Sequence, residues 1–309
     1  MTQKKTILVT GATGAQGGSV AKALLADDTY AVRILTRHPS GAAARELQAA
    51  GASIAAGDMS DPESLRKAMQ GCYGVYGVTN FWEHFEHEYQ LGKNLVDAVK
   101  ESNIEHFVFH TLPDLKKMSK GKYSVPHCDL KAALEQYTRM LQIPATFLRI
   151  AFYYENFLTF FPLQKMNDGS YSFGFPQGDT KLAMISVEDV GGIVNSIFHH
   201  RDAYLRRVVG AVGADEPCAA YAAVMSKVLN TEVRYNHIPR DVYASFPFPG
   251  AEELANMFEV QRLHIDNRLI DLIETYALNP NTQSFEQWMV KNRHRFTAIM
   301  EDSSSAVVA

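Results

Sequence analysis

The 309-residue chain is 46% hydrophobic and carries a formal net charge of −4. This balance suits a globular protein with a sizeable core, and it excludes neither catalysis nor regulation but gives no reason to expect direct binding to nucleic acid or to a membrane. The three cysteines lie far apart, without metal-ligand spacing, and we see no secretory signal or long apolar run; we therefore expect no metal site and a cytoplasmic location, with nuclear entry left open.

The first predicted strand runs directly into three regularly spaced glycines. The stretch TILVTGATGAQGG, residues 6–18, places them at Gly11, Gly14 and Gly17. Gly11 permits a tight turn, Gly14 lets a pyrophosphate approach the backbone, and Gly17 lets the following helix pack closely on the strand. That helix, expected over about residues 16–27, would direct its free N–H groups at the phosphates. Because a strand precedes the glycines and a helix and a second strand follow, the pattern predicts a dinucleotide-binding turn.

An arginine after the second predicted strand indicates the choice of cofactor. This strand covers about residues 31–35, and Arg37 follows it, twenty residues after Gly17. An acidic side chain at this position would accept hydrogen bonds from a ribose 2′-hydroxyl, whereas an arginine would pair with a 2′-phosphate. Arg37 therefore predicts NADP(H) over NAD(H); a solvated arginine at a strand end is the alternative interpretation.

Strand and helix patterns alternate as far as Ile150 and predict a doubly wound, parallel α/β sheet of the Rossmann type. Crossover rules favour the strand order 3-2-1-4-5-6, with the ligand at the carboxyl ends of the strands. We expect a nucleotide-binding domain over residues 1–150, a smaller, interleaved α+β lobe over 151–302 that covers the cleft, and a disordered tail over 303–309. The predicted strands cover residues 7–10, 31–35, 53–56, 74–78, 106–109 and 145–150.

The aromatic-rich segment after Ile150 predicts the start of the smaller lobe, and a glycine-rich passage follows over residues 169–178. Ser186 to Asp189 has capping-box spacing and predicts a helix that continues to about His199. Further strands are predicted over residues 208–212 and 233–237, and further helices near 219–229, 251–258 and 284–295.

Polar residues follow the third and fourth predicted strands. Asp58 could accept a hydrogen bond from an adenine amino group or could simply form the turn before Asp61 and Pro62. Thr79, Asn80 and Phe81 follow the fourth strand, beside the expected ribose and diphosphate.

The tyrosine expected for proton transfer is missing. In reductases of this fold a tyrosine precedes a lysine by four residues, because the lysine lowers the pKa of the phenol. Tyr89 and Lys93 have this spacing but lie one crossover too early. At the expected place stand His127 and Lys131, so Lys131 can bind the nicotinamide ribose. His127 either acts as a general acid or shapes the pocket without turnover.

Several stretches together resemble one family. The sequences TGATGAQGGSVA, TRHP, GDMSD, VTNFWE, HCDLK, YYENF and FPGAEELANMF are similar to those of the NmrA-like branch of atypical short-chain dehydrogenases. The resemblance extends from about Lys4 to Phe296. It implies an NADP(H)-binding Rossmann protein that has lost the catalytic tyrosine and responds to cellular redox state through its shape, its association state and regulatory protein partners. Fungal members of the wider family restrain transcription factors.

The resemblance also implies a set of cofactor contacts. His110 stands where the family pattern has a serine, so the sequence departs from the family at the nicotinamide pocket. The implied contacts are Gly11, Thr13, Gly14, Gln16 and Gly17 at the diphosphate, Arg37 at the 2′-phosphate, Asp58 and Met59 by the adenine, Thr79, Asn80 and Phe81 along the dinucleotide, and Lys131, Tyr153, Tyr154, Glu155 and Asn156 around the nicotinamide.

Two functional hypotheses follow. The first is a non-catalytic NADP(H) sensor that regulates protein partners, for which a homodimer is one association state. The second is an NADPH-dependent reductase of quinones, enones or aromatic molecules, in which Lys131 or His127 would serve the chemistry. For the second hypothesis an apolar substrate pocket could be lined by Phe152, Tyr153, Phe157, Phe160, Phe246 and Phe248, although core packing is the simpler interpretation of the phenylalanines.

Overall fold

A computed structural model describes residues 4–305 of the chain. From Thr6 to Ile150 strands and helices alternate as the sequence predicts. The strands are β1 (Thr6–Val9), β2 (Ala31–Thr36), β3 (Ser53–Ala56), β4 (Cys72–Gly77), β5 (His106–Thr111) and β6 (Ala145–Ile150). The helices are α1 (Ala15–Asp27), α2 (Ala42–Ala49), α3 (Pro62–Met69), α4 (Phe81–His84), α5 (Glu88–Glu101), α6 (Leu115–Met118) and α7 (Pro126–Met140).

The main sheet confirms the predicted fold class and strand order. Its order is 3-2-1-4-5-6, and a seventh strand, β11 (Val208–Ala211), continues it beside β6. All its strand pairs are parallel. Burial follows position in the sheet, because β5 is buried along its whole length whereas β3, at the edge, is not.

The second lobe contains two small three-stranded sheets. Strands β7 (Phe152–Tyr153), β10 (Lys181–Ile185) and β12 (Ala214–Pro217) form one, and β8 (Gln164–Lys165), β9 (Tyr171–Phe175) and β13 (Val233–His237) form the other. Strands β9 and β10 were not predicted; β9 lies inside the glycine-rich passage. The helices are α8 (Val190–His199), α9 (Arg201–Tyr204), α10 (Cys218–Leu229), α11 (Arg240–Ala244), α12 (Ala251–His264), α13 (Leu269–Leu278) and α14 (Phe285–Ser305).

The two parts of the chain interleave. Helix α8 packs on α1 so closely that a Cβ on Gly191 would lie 2.2 Å from the carbonyl oxygen of Ser19. Since β11 also joins the main sheet, two elements of the range 151–302 belong structurally to the first part. A separate, aromatic core fills the second lobe and includes Phe157, Phe258 and Trp288.

The last described helix reaches into the predicted tail. Helix α14 continues to Ser305 and includes residues 303–305. Adding a residue to an existing helix costs far less than starting one, and serine only weakly opposes it. The remainder of the predicted tail, residues 306–309, lies outside the described residues. Among residues 4–305 no helix has both the length and the apolar character needed to cross a membrane.

Candidate functional site

The glycine turn joins β1 to α1 at the carboxyl edge of the main sheet. Gly11 has a φ of +61°, and a Cβ on Gly17 would lie 2.4 Å from the carbonyl oxygen of Gly11. Both positions therefore require glycine, the first for its backbone angle and the second for space. Gly14 is the N-cap residue of α1, and within residues 4–305 no side chain caps this end. The first N–H groups of α1 can therefore serve an anion.

Gln16 connects the start of α1 to two tyrosines. Its Nε2 donates to the Tyr76 hydroxyl at 2.5 Å, and the Tyr153 hydroxyl donates to its Oε1 at 2.6 Å. Tyr153 follows β6, whereas Thr13, which is exposed, lies in the glycine turn. The structure thus brings Tyr153, predicted at the nicotinamide, against Gln16, predicted at the diphosphate.

Arg37 lies at the end of β2, as predicted, but it already has a partner. Its guanidinium donates to the Glu83 carboxylate of α4 at 2.6 Å, with about half of each side chain exposed. This hydrogen bond lowers the pKa of Glu83 and raises that of Arg37. A 2′-phosphate would have to replace or share this carboxylate.

The adenine contacts predicted after β3 also form a compact turn. Asp58 accepts from the backbone N–H of Ser60 at 2.7 Å; this hydrogen bond, helped by the charge of Arg37, lowers the Asp58 pKa. The carbonyl of Met59 accepts from Asn94 on α5 at 2.9 Å. Asp58 therefore has the turn-forming role, and its contact with an adenine stays a prediction.

A buried ion pair lies behind the end of β4. The ammonium of Lys131, on α7, donates to the Glu88 carboxylate and to the Thr79 hydroxyl and carbonyl. Thr79 also donates to Glu88 at 2.7 Å, and the side chains of Lys131 and Glu88 are 6% and 0% exposed. Burial lowers the Lys131 pKa, and the charge of Glu88 opposes that effect. Glu88 Oε2 is buried and has no hydrogen-bond partner among the described residues.

His110 is the departure from the family pattern at the end of β5. It is buried, and its Nδ1 has no hydrogen-bond partner within the described part of the chain. Burial, followed by the nearby charge of Lys131, lowers the His110 pKa well below its usual range, so this imidazole is neutral. It can offer one donor or one acceptor but no charge.

His127 occupies the position expected for the catalytic tyrosine and is paired with a carboxylate from the second lobe. Glu253, on α12, accepts from both the backbone N–H and Nδ1 of His127, each at 2.7 Å. Burial lowers the His127 pKa, but the neighbouring Cys128 and Glu253 outweigh it and raise the pKa to about 10. His127 is therefore an imidazolium at neutral pH, one helical turn before Lys131. By contrast, Lys93 is paired with Asp97 along α5.

Asn80 and Phe81 join these groups to α4. The amide of Asn80 donates to Glu83 at 3.3 Å. Phe81 is buried, and its ring centre lies 5.9 Å from that of His127. The ring of Trp82, the next residue, lies 5.5 Å from that of His127. Helix α4 therefore touches both the Arg37 side and the His127 side of the crevice.

The remaining predicted nicotinamide contacts lie in the second lobe, and their side chains have other partners there. Tyr154 is fully buried and packs against Trp288 with ring centres 5.4 Å apart. Glu155 accepts from the Ser186 hydroxyl at 2.7 Å, and also from the Val187 N–H and the Trp288 indole at 3.0 Å each. The Asn156 carbonyl caps the local turn. Their role as cofactor contacts stays a prediction.

The phenylalanines considered for a substrate pocket do not form one surface. Phe157 is fully buried in the core of the second lobe, and Phe152 packs against that core. Phe160 is 71% exposed, whereas Phe246 and Phe248 are about half as exposed. Core packing is therefore the correct interpretation for Phe152 and Phe157.

Sequence reasoning missed the internal partners of the predicted site. Glu83 and Glu253 lie inside VTNFWE and FPGAEELANMF, two stretches that carry the family resemblance, but no pattern pairs them with Arg37 or His127. Glu88, which begins α5, gave no signal beyond being an acidic residue near the start of a helix.

The parallel sheet and the glycine turn at the carboxyl ends of its strands define a Rossmann-type α/β protein. The chain belongs to the NmrA-like family, whose model matches residues 3–288. It is 31% identical to an NmrA-like family domain-containing protein of Dictyostelium discoideum, with 76% of this chain and 80% of the relative covered. It is 33% identical to the NmrA-like family domain-containing oxidoreductase FrzB of a Cladobotryum species, with 81% of each covered.

Solved structures share the fold at lower identity. NmrA, a negative transcriptional regulator, matches with a TM-score of 0.81 and 24% identity over 93% of this chain and 95% of that chain. NmrA has been solved with NAD and with NADP. An NADPH-dependent quinone oxidoreductase of Escherichia coli, complexed with NADPH, matches with a TM-score of 0.75 and 20% identity over 91% and 97% of the two chains.

Proposed function

We propose that this chain binds NADP(H) in the crevice at the carboxyl ends of β1, β2 and β4 and acts as a redox-responsive regulator. One observation carries the proposal: both cations predicted to hold the cofactor are already held by internal carboxylates. Arg37 is paired with Glu83, and Lys131 with Glu88. Cofactor binding must therefore exchange contacts within the protein, and a regulator needs a bound form that differs from the free form.

The preference for NADP(H) rests on Arg37. NmrA accommodates either NAD or NADP in its solved complexes, so the family resemblance leaves the choice open. A guanidinium at the end of β2 supplies the charge-assisted hydrogen bonds that a 2′-phosphate needs.

The output of the regulator, in this proposal, is a change in protein partners, including a second copy of the chain. Support comes from the missing tyrosine and from the likeness to NmrA, a transcriptional regulator. In this proposal the cofactor binds beside α4, which contacts residues on both sides of the nucleotide site. Binding would therefore change the position of α4, and protein partners would distinguish the free form from the bound form.

Calorimetric titration of the purified chain with NADPH and NADH tests the cofactor assignment. A charge-assisted phosphate contact contributes about 1.5–3 kcal/mol, so Arg37→Asp should weaken NADPH binding by about tenfold to a hundredfold and leave NADH binding nearly unchanged. Equal affinities of the wild type for NADPH and NADH would contradict the assignment of Arg37.

A second candidate function is an NADPH-dependent reductase, and the pairing of His127 with Glu253 favours it. The pair keeps an imidazolium at the tyrosine position, next to Lys131, and an imidazolium can act as a general acid. Fungal relatives of this chain are named oxidoreductases.

The two functions are separated by following NADPH consumption with quinones, enones and aromatic aldehydes. Turnover of about 1 s⁻¹ or more, within the ordinary enzyme range, would establish the reductase. Its loss in Lys131→Ala and in His127→Phe, in variants that still fold and bind NADPH, would assign the chemistry to these residues. Absence of turnover, with NADPH binding intact, would support the regulator.

A further inference from the structure

The Arg37–Glu83 ion pair connects the end of β2 to helix α4, which follows β4. Strand β1 lies between β2 and β4 in the sheet. Arg37 follows β2, whereas Glu83 belongs to α4, which follows β4. The 2.6 Å contact between their side chains therefore crosses the carboxyl end of β1, from which the glycine turn departs. The adenosine ribose of a dinucleotide bound at the glycine turn and the end of β2 would lie beside this contact, with its 2′ position facing Arg37.

The charges around the closed pair oppose an added phosphate. One Glu83 oxygen accepts from Arg37 and the other from Asn80, and His84 Nε2 lies 3.8 Å from the carboxylate. Asp58 lies near enough to contribute to the raised pKa of Arg37. A phosphate monoester carries about −1.5 to −2 charges at neutral pH. Placed on Arg37, it would therefore be repelled by the Glu83 carboxylate.

We propose that Glu83 is an internal occupant of the 2′-phosphate site, which holds Arg37 in the cofactor-free chain and is displaced by the 2′-phosphate of NADP(H). The inference rests on the proposed function, since it requires that NADP(H) binds in this crevice. NAD(H), which lacks the 2′-phosphate, leaves the Arg37–Glu83 pair closed. Glu83 is thus a specificity-determining residue that makes the binding of NADP(H), but not of NAD(H), a conformational event.

Displacement of Glu83 acts on a helix that contacts the second lobe. Within α4, Trp82 precedes Glu83; its ring lies against His127, and a Cβ on Gly250 would come within 2.9 Å of it. Gly250 is the N-cap residue of α12, the helix that carries Glu253. Phe85, the C-cap residue of α4, has a positive φ of +44°, which costs a phenylalanine energy. Opening the ion pair allows this short, strained helix to move relative to α12.

The first test measures the affinities of NADP⁺ and NAD⁺ for the wild type and for Glu83→Gln by titration calorimetry. Removing an exposed carboxylate that competes for Arg37 should tighten NADP⁺ binding by about two- to fivefold, the range of an exposed ion pair, and change NAD⁺ binding by less. Glu101→Gln removes the partner of Arg66 from an equally exposed pair outside the crevice and should change neither affinity.

A double-mutant cycle with Arg37→Ala distinguishes two ways in which Glu83 could weaken NADP⁺ binding: by competing with the 2′-phosphate for Arg37, or by repelling the phosphate directly. If Glu83 acts by holding Arg37, Glu83→Gln has no effect on NADP⁺ binding in the Arg37→Ala background. An undiminished gain in that background, or equal tightening of NADP⁺ and NAD⁺, overturns the proposal. Failure of the wild type to bind NADP⁺ at all would instead refute the proposed function.

The tryptophan beside Glu83 reports the movement directly. The chain has two tryptophans, and Trp288 is buried in the second lobe. Excited at 295 nm, Trp82 fluorescence should change with NADP⁺ or 2′,5′-ADP but not with NAD⁺ or 5′-AMP, and the change should be absent in Trp82→Phe. The same response to the ligands with and without the 2′-phosphate would show that α4 does not follow the ion pair.

Discussion

Glu88 determines whether Lys131 can remain charged in the interior. The two side chains are almost completely buried and have each other and Thr79 as polar partners. Removing one partner of such a pair leaves an uncompensated buried charge, which typically costs about 3–5 kcal/mol. We therefore expect Glu88→Gln to lower the free energy of unfolding by about 3 kcal/mol, measured by urea denaturation.

The control for this prediction removes both charges. Glu88→Gln combined with Lys131→Met should be less destabilised than Glu88→Gln alone, because no buried charge then lacks a partner. Glu101→Gln, at an exposed pair, should cost less than about 1 kcal/mol. If the loss of unfolding free energy in the double variant equals the sum of the losses in Glu88→Gln and Lys131→Met, the interaction between the two charges does not stabilise the fold.

The His127–Glu253 pair gives a prediction for pH. The folded protein holds the His127 pKa at about 10, above the value near 6.5 of an unfolded histidine. A raised folded pKa stabilises the protein fully below pH 6.5, and this contribution is lost as the pH rises toward the folded pKa. We expect the free energy of unfolding to fall between about pH 6.5 and pH 10, by up to about 1.4 kcal/mol per unit.

The matched variant is Glu253→Gln, which keeps the shape of the side chain and removes its charge. In this variant the His127 pKa should fall, as followed by NMR of its Cε1–H, and the pH dependence of stability should become less steep; the neighbouring Cys128 remains and keeps part of the upward shift. A wild-type His127 that titrates near pH 6.5 would contradict the prediction and remove the main support for a general acid at this position.

At the scale of elements, two glycines of the β1–turn–α1 unit have different roles: Gly17 is needed for folding and Gly14 for cofactor binding. A Cβ on Gly17 would meet the Gly11 carbonyl at 2.4 Å and the Thr10 carbonyl at 2.6 Å, whereas one on Gly14 would make an ordinary contact at 3.4 Å. Gly17→Ala should therefore destabilise the fold by more than about 2 kcal/mol, the scale of an overpacked core. Gly14→Ala should fold normally but bind NADP⁺ more weakly, because its methyl group points to where the diphosphate approaches.

Thermal unfolding together with calorimetric titration checks both variants. Gly71→Ala is no suitable control, since Gly71 has a φ of +71°. Gly18→Ala is a better control: it lies inside α1, where alanine favours the helix, although its Cβ would lie 3.1 Å from the Ala12 carbonyl oxygen, and it should affect folding less than Gly17→Ala. A stable Gly17→Ala would mean that α1 can shift away from β1 without cost.

At the scale of the whole molecule, the sequence predicts the main sheet well and the second lobe poorly. Strands such as β1 and β5 are buried on both faces and are connected by helices, so their apolar runs and spacing indicate their place in the sheet. Strand β9 is five residues long, contains Gly174 and pairs with β13, far away in sequence. Helix α13 was missed because Leu269, Ile270 and Ile273 are exposed, so its apolar residues do not mark a buried face.

Sequence patterns indicate where the candidate residues lie in the fold but not how they pair, and their role as cofactor contacts stays a prediction. Arg37, His127 and Lys131 lie where strand ends and motif spacing put them. Their carboxylate partners lie 46, 126 and 43 residues away in sequence. Local periodicity describes neighbours within a few residues, so it contains no information about ion pairs that form only when the elements pack together.

The whole-molecule prediction concerns how far the effect of the cofactor spreads. The two parts meet through Gln16 and Tyr153, and through Trp82 and Gly250. Either dinucleotide should protect the backbone amides of residues 10–18 from hydrogen exchange, because both carry the diphosphate that binds there. Only NADP⁺ should also change exchange in α4 and at the start of α12, since only its 2′-phosphate competes for Arg37. Identical exchange patterns with NADP⁺ and NAD⁺ would mean that binding of the 2′-phosphate does not change the second lobe. A regulatory conformational change would then have to come from binding of the diphosphate alone.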